Sequence, residues 1–586
     1  MRFAYLSIFF AGLFLSVTVQ GAALSGELEA GQRIYLEGIL PSGAELTGTR
    51  FGNNIISGAD AACVNCHRRS GMGQVEGDIH VQPITGKYLY ASGLDKPLAT
   101  MDPRVSKRFN QVHEPYTDVS LAKAITNGVN NQGREINVSM PHYRLKESET
   151  RALIAYLKQL SSEVSPGVTE SNIHFATVIT PDVSPLQRKS FTDMMRTILR
   201  QKNGSTVTAN KGTNRHHMTS AAELMLGTER NWTLDIWELK GPKESWAEQL
   251  TAFYQAKPVF ALISGLSNST WQPVHDFCDR QQVPCWFPSI DLPVNSSSQY
   301  SLYFSGGVTL EAEVLAKHLL AQKSARHLVQ VYQDDEVGNA AAQALSKALS
   351  GSNISLENIV LGKELAEELT EANAKIKPAD TVMFWLRPAE IAALTKIKPL
   401  AGNHFFSTFL ARSEHPQIPA EWKASSHLVY PYELPEKRKS NLDYFHAWLN
   451  ISKLPLVDET MQSETFFAMN FLTDTISEML DNLYREYLLE RAEIMLSKRE
   501  GRKAEQETRD RQFLGLPGDM VRKYGPLTAE ESHRVQLNNK TSISKGTTFY
   551  PHLSLGPGQR LASKGAYIVH FAEDDKLIAE SAWIVP

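Results

Sequence analysis

The chain has 586 residues, with 60 basic against 64 acidic side chains, a formal net charge of −4 and 42% hydrophobic content. That length exceeds the range over which one hydrophobic core keeps growing, so about three domains are expected. The composition is that of a soluble globular protein, and the near balance of charge gives no basis for nucleic-acid binding.

The first residues read as an export signal. Arg2 forms a thin basic start, residues 4–19 are almost wholly apolar, and Gly21, Ala22 and Ala23 supply the small residues a signal peptidase needs. The expected signal peptide is 1–23. No later run is long and apolar enough to span a bilayer, so the mature protein is expected to be soluble, periplasmic and without an integral membrane segment.

Four cysteines fall in two close pairs, Cys63 with Cys66 and Cys278 with Cys285. The first pair opens Cys63-Val64-Asn65-Cys66-His67, which fits C-x-x-C-H: two thiols add across the vinyl groups of a haem and the adjacent imidazole reaches the iron. A thioredoxin-like pair would need a strand before it and a helix after it, a zinc site would need a second ligand pair, and a simple disulfide would leave His67 unexplained. The reading is one covalent haem c. Met140, in Val138-Ser139-Met140-Pro141, is the candidate second axial ligand, with Met72, Met101, His80, His113 and His142 as competitors. A thioether there would raise the reduction potential.

The surroundings of Met140 resemble class I cytochrome c over about residues 25 to 162. Glu29 to Tyr35 is similar to that family's N-terminal helix, with Gly31 and Tyr35 facing the crossing with a helix at Ser148 to Leu160. Tyr116-Thr117-Asp118, then Leu121, Ile125 and Gly128, and Met140-Pro141 follow in the family's order. The resemblance implies an all-α haem domain, 24–162, that transfers single electrons. The long stretch between His67 and Tyr116 departs from the family pattern.

Residues 163–171, with Pro166 and Gly167, read as a linker. Beyond them, apolar runs at His174 to Thr180, Thr233 to Leu239, Val259 to Ser264, His327 to Gln333 and Thr381 to Leu386 alternate with helix-like segments, which predicts a parallel α/β sheet. The order of elements over 172–480 resembles the type I periplasmic solute-binding fold of the branched-chain amino-acid binding branch. In that fold, loops after strands grip the ligand, which points here to Ser267, Ser269, Ser289 and Asp291. Ser289-Ile290-Asp291-Leu292-Pro293 departs from the small-residue turn of amino-acid binders. Cys278 and Cys285, seven apart in an oxidising compartment, are expected to form a disulfide.

Residues 481–540 read as a helical charged segment, with the mixed-sign run Glu486 to Arg511 as a solvated helix. Residues 541–586 read as a β-rich segment with strands at Thr547 to Tyr550, Ala566 to Phe571 and Ala582 to Val585. No Ser/His/Asp order, recognisable carboxylate pair or phosphate-cradling loop supports an enzyme. The expected function is electron transfer with a redox partner in the periplasm, joined to a unit that docks a small molecule or protein. The alternative is a binding or sensory protein whose haem reports redox state.

Overall fold

The computed structural model describes residues 26–76, 79–90, 114–210, 230–294, 298–322, 325–362, 365–399, 402–413, 415–479, 481–513 and 548–586. The signal segment, Met101 and His113 lie outside the described residues. The chain divides into two compact units. Among the described residues, one takes the chain up to Ser165 together with Met479–Glu490; the other takes the remainder.

In the first unit a helix at 26–37 crosses a helix at Glu147–Gln159. The crossing is close because Gly31 has no side chain: a Cβ there would lie 2.1 Å from the Ala152 carbonyl oxygen. One turn on, Tyr35 meets Tyr156 with ring centroids 5.3 Å apart. A third helix, Asp118–Asn127, is fixed at both ends by its sequence: Thr117 and Ser120 form a reciprocal cap, and Gly128 ends it at φ 67°. The apolar faces of these helices, with Ile34, Leu121, Ile125, Leu153, Ile154 and Leu157, form one core that Val64 and Cys63 join at its margin.

The unit is not all helical. Thr47–Arg50 pairs antiparallel with Asn54–Ser57 and with His142–Tyr143. The all-α expectation missed this sheet because its strands are only two to four residues long. Within the insertion after His67, a two-stranded hairpin, Val75–Glu76 with Ile79–His80, and a short helix, Gly86–Leu89, are described.

The second unit carries two sheets. The first has the order Ser289–Leu292, Leu266–Thr270, Asn172–Ile179, Ala261–Ile263, Cys285–Trp286 and Ser301–Leu302, with Asn231–Glu238 also paired to Asn172–Ile179. All its pairings are parallel. Seven of the eight residues of Asn172–Ile179 are buried, as a strand covered on both faces requires. The second sheet runs Ser355–Leu361, His327–Gln333, Thr381–Trp385, Asn403–Ser407 and Ser426–Tyr430 in parallel. Tyr567–Phe571 and Leu577–Ala579 then extend it antiparallel.

Within the residues read as a β-rich C-terminal segment, Tyr567–Phe571 and Leu577–Ala579 thus extend the second sheet. Thr548 to Tyr550 is not a strand, and Ala582 to Val585 contributes a single bridge, Ala566 with Ile584. The charged run also differs from expectation. In the helix Arg485–Phe513, Tyr487, Leu488, Glu490, Arg491, Ala492, Glu493 and Leu496 are all buried. Its charges are tolerated there because they are paired: Arg491 with Glu478, and Glu493 with Arg560 at 2.7 Å.

Candidate haem centre and ligand cleft

The pentapeptide Cys63 to His67 forms one helical turn, Val64–His67, with Cys63 as its N-cap. The amide hydrogens of Cys66 and His67 both bond the Cys63 carbonyl, at 3.3 and 2.9 Å. Positions i, i+3 and i+4 of a turn share one face, so both thiols and the imidazole project to the same side. Asn65, one of the two residues between the cysteines, braces the turn through its side-chain bond to the Ala59 carbonyl at 2.8 Å and its own carbonyl's bond from Gln74 at 3.2 Å.

Cys63 and Cys66 are free thiols, each half-buried. Burial pushes the Cys63 thiol up to about 12, and the Tyr143 hydroxyl hydrogen-bonds its sulfur. Arg50, at the end of its strand, lies 3.7 Å from the Cys66 sulfur. Nδ1 of His67 is 3.1 Å from the Gln82 carbonyl oxygen. A carbonyl only accepts, so Nδ1 carries the proton and Nε2 presents its lone pair. Burial lowers the His67 imidazole to about 4, which keeps it neutral at physiological pH. Two thiols on one face of a turn and a neutral imidazole oriented through its second nitrogen fit a covalent haem c with His67 as axial ligand.

Met140 is half-buried in a turn closed by its own N–H bonding the Asn137 carbonyl at 2.9 Å. The strand His142–Tyr143 follows at once, and it pairs through Gly48 and Thr49 with the strand that ends at Arg50. Tyr143 and Arg50 therefore tie the Met140 turn to the surroundings of Cys63 and Cys66. Among the competitors, Met72 is fully buried, while His80 and His142 are exposed.

In the second unit the predicted ligand residues divide. Ser289 and Asp291 line a cavity with Phe409, Arg412, Tyr432 and Glu464. Ser267 and Ser269 do not line it. They were read as loop residues, but Ser264 and Gly265, at φ 53° and 134°, turn the chain so that Leu266–Thr270 re-enters the sheet as a strand. There the Ser267 hydroxyl donates to the Thr270 carbonyl at 3.2 Å and accepts from the Ser269 N–H at 3.2 Å.

The cavity measures about 20 Å³, room for one water. It is narrow because Arg412 reaches across from the second sheet's side and pairs with Asp291. Burial raises the Asp291 carboxyl, against the opposing pull of Arg412 and Arg387. Glu464 is fully enclosed, accepts from the Tyr550 hydroxyl at 2.7 Å and bonds the Ser289 hydroxyl; burial pushes it up to about 8. Arg412 lies 121 residues after Asp291, and no local pattern around it marks it as a partner. A larger cavity of about 430 Å³, lined by His275, Asp276, Asp279, Ser298 and Tyr300, is an open surface hollow that holds none of the predicted ligand residues. Cys278 and Cys285 are joined as a disulfide.

Residues 57–161 match the model of the cytochrome c family. This stretch contains Cys63, Cys66, His67 and Met140. No curated protein matches the chain. Among solved structures, the chain is similar to an ABC transporter substrate-binding protein from Aeropyrum pernix, at 12% identity and TM-score 0.48 over 71% of this chain and 97% of that one. It is also similar to a fatty acid ABC transporter substrate-binding protein from Thermomonospora curvata, at 13% identity and TM-score 0.47 over 72% and 95%. A leucine-binding protein from Thermotoga maritima gives 10% identity and TM-score 0.43 over 71% and 99%. Among the described residues no helix is long and apolar enough to cross a membrane.

Proposed function

We propose that the protein is an exported single-haem cytochrome c that exchanges single electrons with a redox protein of the periplasm, and that its α/β unit binds a small molecule or protein at the cleft of Ser289 and Asp291. The observation that carries the redox reading is the shared face of Cys63, Cys66 and His67, with Gln82 orienting the imidazole. When bound, the haem iron supplies reversible one-electron exchange. The chain's part is to hold the group by two thioethers, to keep His67 neutral and aimed, and to offer Met140 as the opposite ligand. Were His67 and Met140 both to bind the iron, no position would remain for substrate, which favours a carrier over an enzyme.

A redox titration of the purified chain tests this: a reversible one-electron transition in the visible spectrum is expected. Irreversible reduction, or a reduced spectrum that changes on adding carbon monoxide, would count against two protein ligands and against the carrier role.

The cleft favours a second reading, in which ligand binding is sensed and the haem reports redox state. The Arg412–Asp291 pair closes the cleft to anything larger than a water, so a ligand must part that pair to enter. A specific ligand raises thermal stability by mass action, and Ser289→Ala should diminish the shift.

A further inference from the structure

The peptide that follows the axial histidine is held in an unusual way. Arg68 has φ 65° and ψ 171°, a backbone region that favours glycine. Its carbonyl accepts the Tyr35 hydroxyl at 2.6 Å, and the Gly73 N–H bonds the His67 carbonyl at 3.0 Å. Ser70, 1% exposed, sits at the middle of this turn, where its carbonyl accepts the Ser161 hydroxyl at 2.8 Å. The N–H of Ser70 donates to Glu490 Oε1 at 3.0 Å, and its hydroxyl donates to Oε2 of the same carboxylate.

Glu490 is 420 residues further along the chain and only 6% exposed. It belongs to the segment Met479–Glu490, which is part of the haem-bearing unit. A second bond ties that segment down: the Tyr88 hydroxyl donates to Asn482 Oδ1 at 3.2 Å. The Ser70 hydroxyl, which also accepts the Met72 N–H at 3.1 Å, directs its own proton at Glu490 Oε2. Both carboxylate oxygens are therefore acceptors, and a group that accepts on both oxygens is served as the anion.

We infer that Glu490 is a positioning residue of the haem centre: its buried carboxylate locks the turn after His67 and holds a negative charge there that biases the iron toward its oxidised form. A buried anion acts through a low effective dielectric, so it favours the more positive oxidation state and lowers the reduction potential. The segment Met479–Glu490 is thereby a structural part of the cytochrome, although the rest of that unit's described residues end before Pro166. This inference rests on the haem reading.

The test uses the full chain, loaded with haem, as Glu490→Gln and Ser70→Ala, with midpoint potentials measured by spectroelectrochemistry. E490Q removes the charge and keeps the shape, and its midpoint should rise above the parent's. S70A keeps the charge and removes the proton that faces it, and its midpoint should fall below the parent's. A merely structural role would lower thermal stability in both variants and leave both midpoints unmoved or shift them alike, and either result overturns the inference. If E490Q fails to load haem, S70A decides: a midpoint below the parent's supports the inference, and one at or above it overturns it. A parent chain without covalent haem instead sinks the haem reading, and this inference with it.

Discussion

The haem turn and the ligand cleft are built in opposite ways. Cys63, Cys66 and His67 lie within five consecutive residues, and one turn of helix suffices to aim all three. Ser289, Asp291, Arg412, Tyr432 and Glu464 are scattered over more than a hundred and seventy positions and meet only because two sheets and a helix bring them together. A site whose geometry is local tolerates changes elsewhere in the fold; a site assembled from distant elements shares its stability with the elements themselves. Substitutions at the first should change chemistry, and substitutions at the second should change stability as well.

The largest expected effect is at the haem. Met140→Ala should leave the covalent haem in place, because neither thioether nor His67 is touched. Its midpoint should fall by roughly one to a few tenths of a volt, a fraction of the roughly 0.8 V that axial ligation spans. Spectroelectrochemistry reads it, and an unchanged midpoint would move the assignment to another ligand such as Met72.

The cleft should respond in stability. Arg412→Ala leaves the Asp291 carboxylate enclosed without its partner, which costs about 3 kcal/mol, the lower end of the range for breaking a buried pair because Arg412 keeps some contact with solvent. Denaturant unfolding followed by tryptophan fluorescence checks it. A haem midpoint unmoved in the same variant would sharpen the contrast between the two sites. A loss below about 0.5 kcal/mol would place the pair among ordinary surface bridges.

Slightly smaller is the effect of opening the disulfide. Cys278→Ser with Cys285→Ser removes a short covalent loop, at about 2 kcal/mol by loop-closure entropy. The last effect is a slope, not a single loss. Glu464 titrates near 8 in the folded chain against its ordinary 4.5, so the folded state keeps a proton that the unfolded chain releases. Stability from this group is therefore lost as pH rises from about 4.5 to about 8, at up to roughly 1.4 kcal/mol per pH unit, and is level above that. Glu464→Gln should flatten the profile over that window, and an identical slope in parent and variant would show that Glu464 is ionised throughout.

The same contrast explains what could be read from the sequence. The pentapeptide was legible because its ligands are neighbours, and the helix crossing at Gly31 and Tyr35 because helical spacing places them on one face. The parallel α/β character of the second unit showed in its apolar runs. What stayed hidden depends on long-range pairing. Leu266–Thr270 reads as a loop because Ser267, Asn268 and Ser269 are turn formers, yet Ser264 and Gly265 redirect it into the sheet. Glu490, Arg491 and Glu493 read as a solvated face because charge is the loudest local signal, and nothing nearby announces Ser70, Glu478 or Arg560 as partners. Gln82, which orients His67, sits in the insertion that departs from the family pattern.

The central claim is that the turn from Cys63 to His67 carries the redox group by covalent bonds. Mass spectrometry of the proteolytic peptide containing Cys63 and Cys66, from chain produced with cytochrome maturation machinery, tests it most directly. The account predicts that this peptide carries the added mass of one haem that survives denaturation and reduction. Recovery of the same peptide with two unmodified thiols, or with the two cysteines joined to each other, would contradict it.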